Sequence, residues 1–295
     1  MAMRSYRPSL YFILFFASVH LWGCDEIEDP IIEVTTNYQD QVYGDAPEFD
    51  ALPVTGAVQR VLLEDFTAHQ CGNCPAAGLI AVAIGESNGE LVSVMAVHAG
   101  NLANTDDDHF DTDWTTVEGD LFWDQLDFQA YPVGRVNRSE VPGNFWAATQ
   151  WAEQTTVELA NNPVLGLQAD HTWIPENNHL NIHVHGTFFD DVTGPVKIAL
   201  LVLESHMIDY QLDYDSDPEL VEDFEFNHVL RGSVHGAFGL EFGDAGAGAQ
   251  AGDEAMHSVT YTWENDWIMD NSTVLAVITD GLGRVVNCLE LHLTE

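Results

Sequence analysis

The chain has 295 residues, enough for one large or two ordinary domains, and its 46% hydrophobic and 11% aromatic content belongs to a folded protein and excludes a disordered one. It carries 48 acidic against 8 basic residues, a formal net charge of -40, which excludes nucleic acid and anionic lipid headgroups as electrostatic partners. Lys197 is the single lysine, so most carboxylates must sit hydrated at the surface. That is the pattern of proteins from salt-rich surroundings, where ions shorten the Debye length from about 8 Å to about 3 Å at 1 M.

Arg4 and Arg7 precede an apolar run, Leu10–Leu21, that is too short to span a bilayer. The run ends in Leu21-Trp22-Gly23-Cys24. A small residue just before a cysteine, after an apolar core, resembles a bacterial lipobox, although Trp22 is bulky for its position. Residues 1–23 are then a lipoprotein signal peptide, and Cys24 carries the lipid after cleavage. An ordinary cleaved signal is the alternative and leaves Cys24 a free thiol. Either way the mature chain is expected outside the cytoplasm, where disulfides persist. Residues 24–59 begin with an acidic cluster, carry Pro30, Pro47 and Pro53, and read as a tether.

Strand and helix patterns alternate from residue 60 to 162. Val61–Phe66 reads as a strand, Pro75–Glu86 as an Ala-rich helix and Leu91–His98 as a second, buried strand. Asn101–Asp127 is an acidic insertion. Tyr131-Pro132 leads into a strand at Val133–Asn137, and Asn144–Ala160 reads as a helix. Such alternation favours a parallel or mixed sheet.

Beyond Asn162 the pattern becomes strand after strand: Pro163–Trp173, His179–Phe189, Pro195–Glu204, Phe226–Gly236, His257–Trp263, Thr273–Thr279 and Arg284–Leu293. About seven short strands predict a β-sandwich. Gly243–Gly252 reads as a flexible loop. The expected fold class is an α/β thioredoxin-like domain, residues 60–162 with the insertion 101–127, followed by an all-β, Ig-like sandwich domain, residues 163–295.

The chemistry concentrates in VLLEDFTAHQCGNCPAAG, residues 61–78. A strand that ends in a CxxC at a helix start is how thioredoxin-like domains present a redox dithiol. Free N–H groups and the helix dipole stabilise a thiolate there, and Pro75 suits the first helical turn, where an N–H has no partner. Cys71 is the candidate nucleophile, expected to be exposed, and Cys74 the inward resolving thiol. An inert disulfide clip fits the same two residues, as does half a zinc site, although no HxxxH pattern accompanies them.

Thioredoxin-like sites also hold a cis-proline beside the dithiol, and Tyr131-Pro132 before VGRVN has that character, with an ordinary trans loop proline as the alternative. They often place a buried acid as proton acceptor for the resolving thiol. Asp65 stands at that spacing, and alternation turns either Glu64 or Asp65 inward. His69, two residues before Cys71, would favour the thiolate when charged. His98 ends a predicted sheet strand, where site edges form. His183 and His185 share a strand face and read as paired surface histidines rather than half a metal site. The Asp106–Asp113 run lacks the ligand and glycine pattern of a calcium loop. Cys288 reads as a half-buried free thiol. No metal and no cofactor is expected.

The lipobox-like start, VLLEDFTAHQCGNCPAA, YPVGRVNR and FNHVLRG together resemble the twenty-eight-kilodalton outer-membrane lipoprotein family of Bacteroidetes-type bacteria. The resemblance implies a thioredoxin-like domain followed by a β-rich one, Cys71 and Cys74 as the dithiol, and Pro132 as the cis-proline. It implies an outer-membrane location through a lipid on Cys24, facing the periplasm or the cell surface. The expected activity is thiol–disulfide exchange on exported protein substrates. The rival reading is a non-enzymatic surface lipoprotein whose β-sandwich binds a ligand or adheres, with a structural disulfide.

Overall fold

A nine-stranded sheet forms the centre of the molecule. The computed structural model describes residues 38–39, 47–106, 108–127, 129–139, 144–264 and 266–293. The expected signal peptide, Cys24 and the first part of the tether lie outside the described residues.

The first large strand, β1 (Val61–Thr67), is buried on both faces, which is why apolar residues stand on either side of its Glu64-Asp65 pair. Helix α1 (Cys74–Asn88) carries the chain to β2 (Val92–His98), which pairs in parallel with β1 from Val61↔Val92 to Thr67↔His98. α1 starts with a proline in its first turn and ends at Gly89, whose φ of 55° closes the helix in the left-handed region. A short helix, α2 (Val117–Trp123), lies inside the acidic insertion, capped by Thr116 and opened by Glu118 and Asp120. β3 (Val133–Val136) runs antiparallel to β1 and pairs with the two-residue strand β4 (Trp146–Ala147). Helix α3 spans Trp151–Leu159. The single helix expected over 144–160 is thus a short strand, a 3-10 turn and a shorter helix. Trp146 is drawn into the sheet edge and accepts a hydrogen bond from the Trp151 indole at its carbonyl.

β5 (Leu165–Ile174), β6 (His179–Phe188) and β11 (Glu254–Thr262) form a second, antiparallel sheet, with Tyr38–Gln39 on its edge. β7 (Lys197–Glu204), β10 (Val229–Ser233), β12 (Ser272–Thr279) and β13 (Val285–His292) join the large sheet instead. Its order is β13-β12-β7-β10-β2-β1-β3-β4, with Leu240–Glu241 paired to β7. The expected boundary at 162/163 is therefore crossed by one hydrogen-bonded sheet: β10 pairs in parallel with β2 at Val229↔Ala96.

One face of this sheet buries Leu62, Phe66, Val97, Leu201 and Leu275 with Phe122 and Trp123 of α2. On the other face, α1 and α3 cover Leu63, Val94 and Val136. Further along that face the second sheet covers Leu200, Val202 and Ile278 with Leu165, Ile182 and Val259, giving a sandwich of two sheets. β8 (Met207–Leu212) and β9 (Leu220–Phe226) form a separate hairpin that the sequence pattern did not predict. Gly243–Gly252 is no free loop: Gly248–Ala249 pairs with Val192–Thr193, and Ala245 and Ala249 are core residues.

Glu64 and Asp65 are both buried, on opposite faces of β1. Glu64 lies 2.8 Å from Arg135 Nε and 2.9 Å from Arg138 Nη2. Both guanidiniums stack on Phe122, and Arg135 also on Phe66. Burial alone would raise Glu64, but the two cations outweigh it and hold the carboxyl below its ordinary range. Glu64→Gln leaves two buried guanidiniums without a counter-charge. The expected loss is about 3–5 kcal/mol in urea unfolding, against under about 1 kcal/mol for Arg284→Met, which breaks the half-exposed pair with Asp280.

Candidate functional site

Cys71 and Cys74 are joined by a disulfide at the start of α1. The turn that carries them is closed by Cys71 N–H to Ala68 O at 3.1 Å and Cys74 N–H to Cys71 O at 3.0 Å. Contrary to the expectation of an exposed nucleophile, Cys71 is only 4% exposed and Cys74 2%. Ala68, Ala103, Leu102 and Tyr131 pack around them, and the β8–β9 hairpin closes the remaining side.

The Tyr131-Pro132 bond is cis; Pro132 stands just before β3, and Tyr131 packs on the disulfide cluster. The Tyr131 ring stacks on Trp123 at 4.6 Å, and its hydroxyl donates to Ala99 O. Burial pushes this phenol up to about 12, so it remains a donor. Gly100 has φ +71, and a Cβ there would run into both Tyr131 and Trp123. Glycine at 100 is what lets the chain pass.

Asp65 faces the side opposite Glu64. It lines a cavity of about 280 Å³ together with Cys74, Pro75, His98 and Phe226. Its Oδ1 has no hydrogen-bond partner among the described residues, and burial pushes its carboxyl up to about 7. His98 is also buried, its Nδ1 likewise without a partner. Burial, followed by the neighbouring His69, pushes His98 down to about 3, so the ring is neutral near pH 7. It sits between Trp114, at 6.2 Å, and Phe226, at 5.5 Å.

His69 is buried as well. Its Nε2–H donates to Asn104 O at 3.0 Å, and its ring lies 4.9 Å from Phe110. The ring therefore serves the acidic insertion, and its own carbonyl accepts from Leu212 N–H at 2.9 Å.

A family model for the outer membrane protein Omp28 matches residues 120–294, more than half of the chain. The chain belongs to the Omp28 outer membrane protein family. The match takes in Pro132, the hairpin and strands β5, β6 and β11 of the second sheet, and begins after the Cys71–Cys74 turn. HBP35 of Porphyromonas gingivalis is similar in structure, with a TM-score of 0.60 at 15% identity over 81% of this chain and 76% of that one. At that identity the likeness speaks for the fold. A protein of Agrobacterium tumefaciens aligns with a TM-score of 0.48 at 12% identity, over 81% of this chain and 96% of its own. No curated protein sequence matches the chain.

This Omp28-family protein is placed at the outer membrane by its family, and none of its described helices is long and apolar enough to cross a membrane. The fold packs Tyr131 on Cys71 and Cys74, puts Asp65 and His98 in one cavity with Cys74, and sets Pro132 one residue beyond the Phe66↔Val133 pair, with His69 facing His98. His183 and His185 lie apart on β6, and they are buried rather than on the surface. His183 meets Ser258, and His185 meets Glu254 and Gln168. Among the described residues no cluster of three metal-ligating side chains forms. Cys288 is fully buried, not half-buried, and burial pushes its thiol up to about 12. Gln211 and Tyr214, which touch the cysteine turn, were not legible as site residues. They belong to a hairpin whose strands mix acidic and apolar residues, and only the alternation of Ile208, Tyr210 and Leu212 hints at it.

The raised carboxyl of Asp65 has a consequence for stability. The folded state prefers the protonated acid, so Asp65 costs nothing below the ordinary carboxylate range, and stability is lost as pH rises through about 7. Asp65→Asn should match the parent near pH 4 and exceed it by up to about 4 kcal/mol at pH 8, read from urea midpoints at both pH values.

Proposed function

We propose that this protein is a lipid-anchored thiol–disulfide oxidoreductase acting on exported proteins, built on a thioredoxin-like centre. The observation that carries the reading is the Cys71–Cys74 disulfide at the first turn of α1, flanked by cis-Pro132 and backed by a buried, unpaired Asp65. In the reducing direction the Cys71 thiolate attacks one sulfur of a substrate disulfide. A mixed disulfide forms, and the first substrate thiolate leaves. Cys74 then gives its proton to Asp65 and attacks Cys71, which expels the second substrate thiolate and closes the Cys71–Cys74 bond. The substrate gains two electrons and two protons, and the dithiol loses them. The reverse sequence oxidises a substrate dithiol. An acid poised near 7 is matched to this proton transfer at neutral pH. Tyr131 and Pro132 shape the wall against which a substrate chain lies.

The lipid anchor belongs to the same reading. Cys24 is the acceptor, and the tether expected over 24–59 is shorter: Tyr38–Gln39 pairs with β11, and Leu52, Val58 and Gln59 hydrogen-bond to the folded part, so the link to the outer membrane is the chain between Cys24 and Tyr38. Cys24→Ser should move the protein from the membrane fraction to the soluble fraction.

One observation favours the rival, a surface protein whose disulfide is only a clip: both cysteines are buried. The reduction potential separates the two. Equilibration of the full-length chain with glutathione, read by mass-tagging of thiols, should give a value between about -270 and -120 mV, the range of known oxidoreductases. Cys71→Ser should abolish exchange with a model substrate. A potential well below about -300 mV, or a pair that reduces only on unfolding, would make the bond structural and move the search for function to the second sheet.

A further inference from the structure

We infer that the distal half of the β8–β9 hairpin is a strap that shuts the Cys71–Cys74 site, and that a protein substrate reaches Cys71 only when the strap lifts. This rests on reading the pair as a redox centre. Exchange requires a second sulfur to approach Cys71 in contact, and a residue 4% exposed offers no such approach.

The cover has a defined construction. Leu212 N–H donates to His69 O and Tyr214 N–H to Gly72 O, each at 2.9 Å. The Gln211 amide, itself 2% exposed, donates to Ala68 O at 3.4 Å and Cys71 O at 3.3 Å. The Tyr214 ring lies flat against Gly72, where a Cβ would meet it at 2.5 Å. The strap thus runs from the end of β8 into a turn at Tyr214, alongside the CGNC turn, and engages the carbonyls on either side of Cys71. An incoming extended substrate segment would use the same backbone groups, so strap and substrate compete.

The same hairpin is built to move at one end only. Its base is held: Phe226 packs on Trp114 at 5.2 Å and on His98 at 5.5 Å. Its ladder shifts register between Asp209 and Gln211, a bulge that separates this base from the segment covering the cysteines. The hairpin forms no ladder with either large sheet. It carries eight acids (Asp209, Asp213, Asp215, Asp217, Glu219, Glu222, Asp223 and Glu225) and neither lysine nor arginine. Across from it, His109 meets Tyr210 at 5.0 Å, within a segment bearing Asp106, Asp108, Asp111 and Asp113. Like charges on both sides oppose closure, and a few hydrogen bonds and ring contacts hold it.

The test is the rate at which dithiothreitol reduces Cys71–Cys74 in the full-length chain, for the parent, Gln211→Ala and Tyr214→Ala. Each variant should be reduced about tenfold faster, the effect of losing one or two net hydrogen bonds or an equivalent contact. Hydrogen exchange of the parent needs no variant. The Leu212 and Tyr214 amides should exchange far faster than those of β7 and β12. Parent-like reduction rates, or Leu212 and Tyr214 amides as protected as the central strands, would overturn the strap. The equilibrium potential is a separate readout. A potential in the oxidoreductase range with unchanged rates overturns the strap and leaves the redox reading. A structural potential with faster-reducing variants does the opposite.

Discussion

The ion cluster of Glu64, Arg135 and Arg138 is the constraint on which the site depends. It ties the central strand β1 to β3 beneath the aromatic rings of Phe66 and Phe122. Pro132 immediately precedes β3, so this tie fixes where the cis bond and Tyr131 stand relative to the turn after β1. A buried acid flanked by two hydrogen-bonded guanidiniums is poor at adding net stability, but it penalises any arrangement in which one member is missing. A one-residue slip of β3 against β1 would send Arg135 to the opposite face and strand Glu64. The cluster thereby sets the register on which the placing of Tyr131 beside the Cys71–Cys74 disulfide rests.

Adjacent residues of β1 meet opposite fates for this reason. Glu64 points to the face that receives two of the chain's eight basic residues. Asp65 points to the face covered by α1, where no cation arrives from the described residues. Arg231 reaches Glu204 and the rings of Trp114 and Trp267, and Arg284 reaches Asp280. Cations are scarce, and those described in ion pairs are engaged elsewhere. The surroundings of Asp65 and Cys74 are therefore apolar and neutral rather than positive. With His98 neutral as well, the N-terminal turn of α1 is what remains to favour a Cys71 thiolate.

The sequence pattern located the strand–CxxC–helix unit, the parallel neighbour β2 and most of the later strands, because each is a long apolar run with clear turn signals. The cis bond at Pro132 was legible only through its resemblance to thioredoxin-like sites. Alternation was unable to choose between Glu64 and Asp65, since a strand covered on both faces buries both. The hairpin stayed hidden because its strands are short and half exposed, with acids at positions where a core strand has apolar residues. α2 was masked by the acidity around it: its buried Phe122 and Trp123 lie at the end of a segment that reads as a solvated loop. The division at 162/163 followed a real change of pattern, from alternating helices and strands to strands alone. Pattern carries no information on which sheet a strand joins, and β10 crosses the line to pair with β2.

The unpaired groups behind the disulfide bear on what the site is for. Burying a carboxyl and an imidazole without partners costs stability that a hydrophobic pair of similar volume would not. A structural clip gains nothing from this cost, because closing a loop as short as residues 71–74 works equally well against an apolar wall. A dithiol that must pass a proton does gain, since an acid raised to about 7 can take a proton from a thiol and return it at the same pH. Local inconsistency of this kind, set in an otherwise well-packed sheet, concentrates at functional positions. The covering strap then has a second physical role. It keeps water from Cys71, while the unpaired acid behind Cys74 stays in the apolar surroundings that hold it near neutrality.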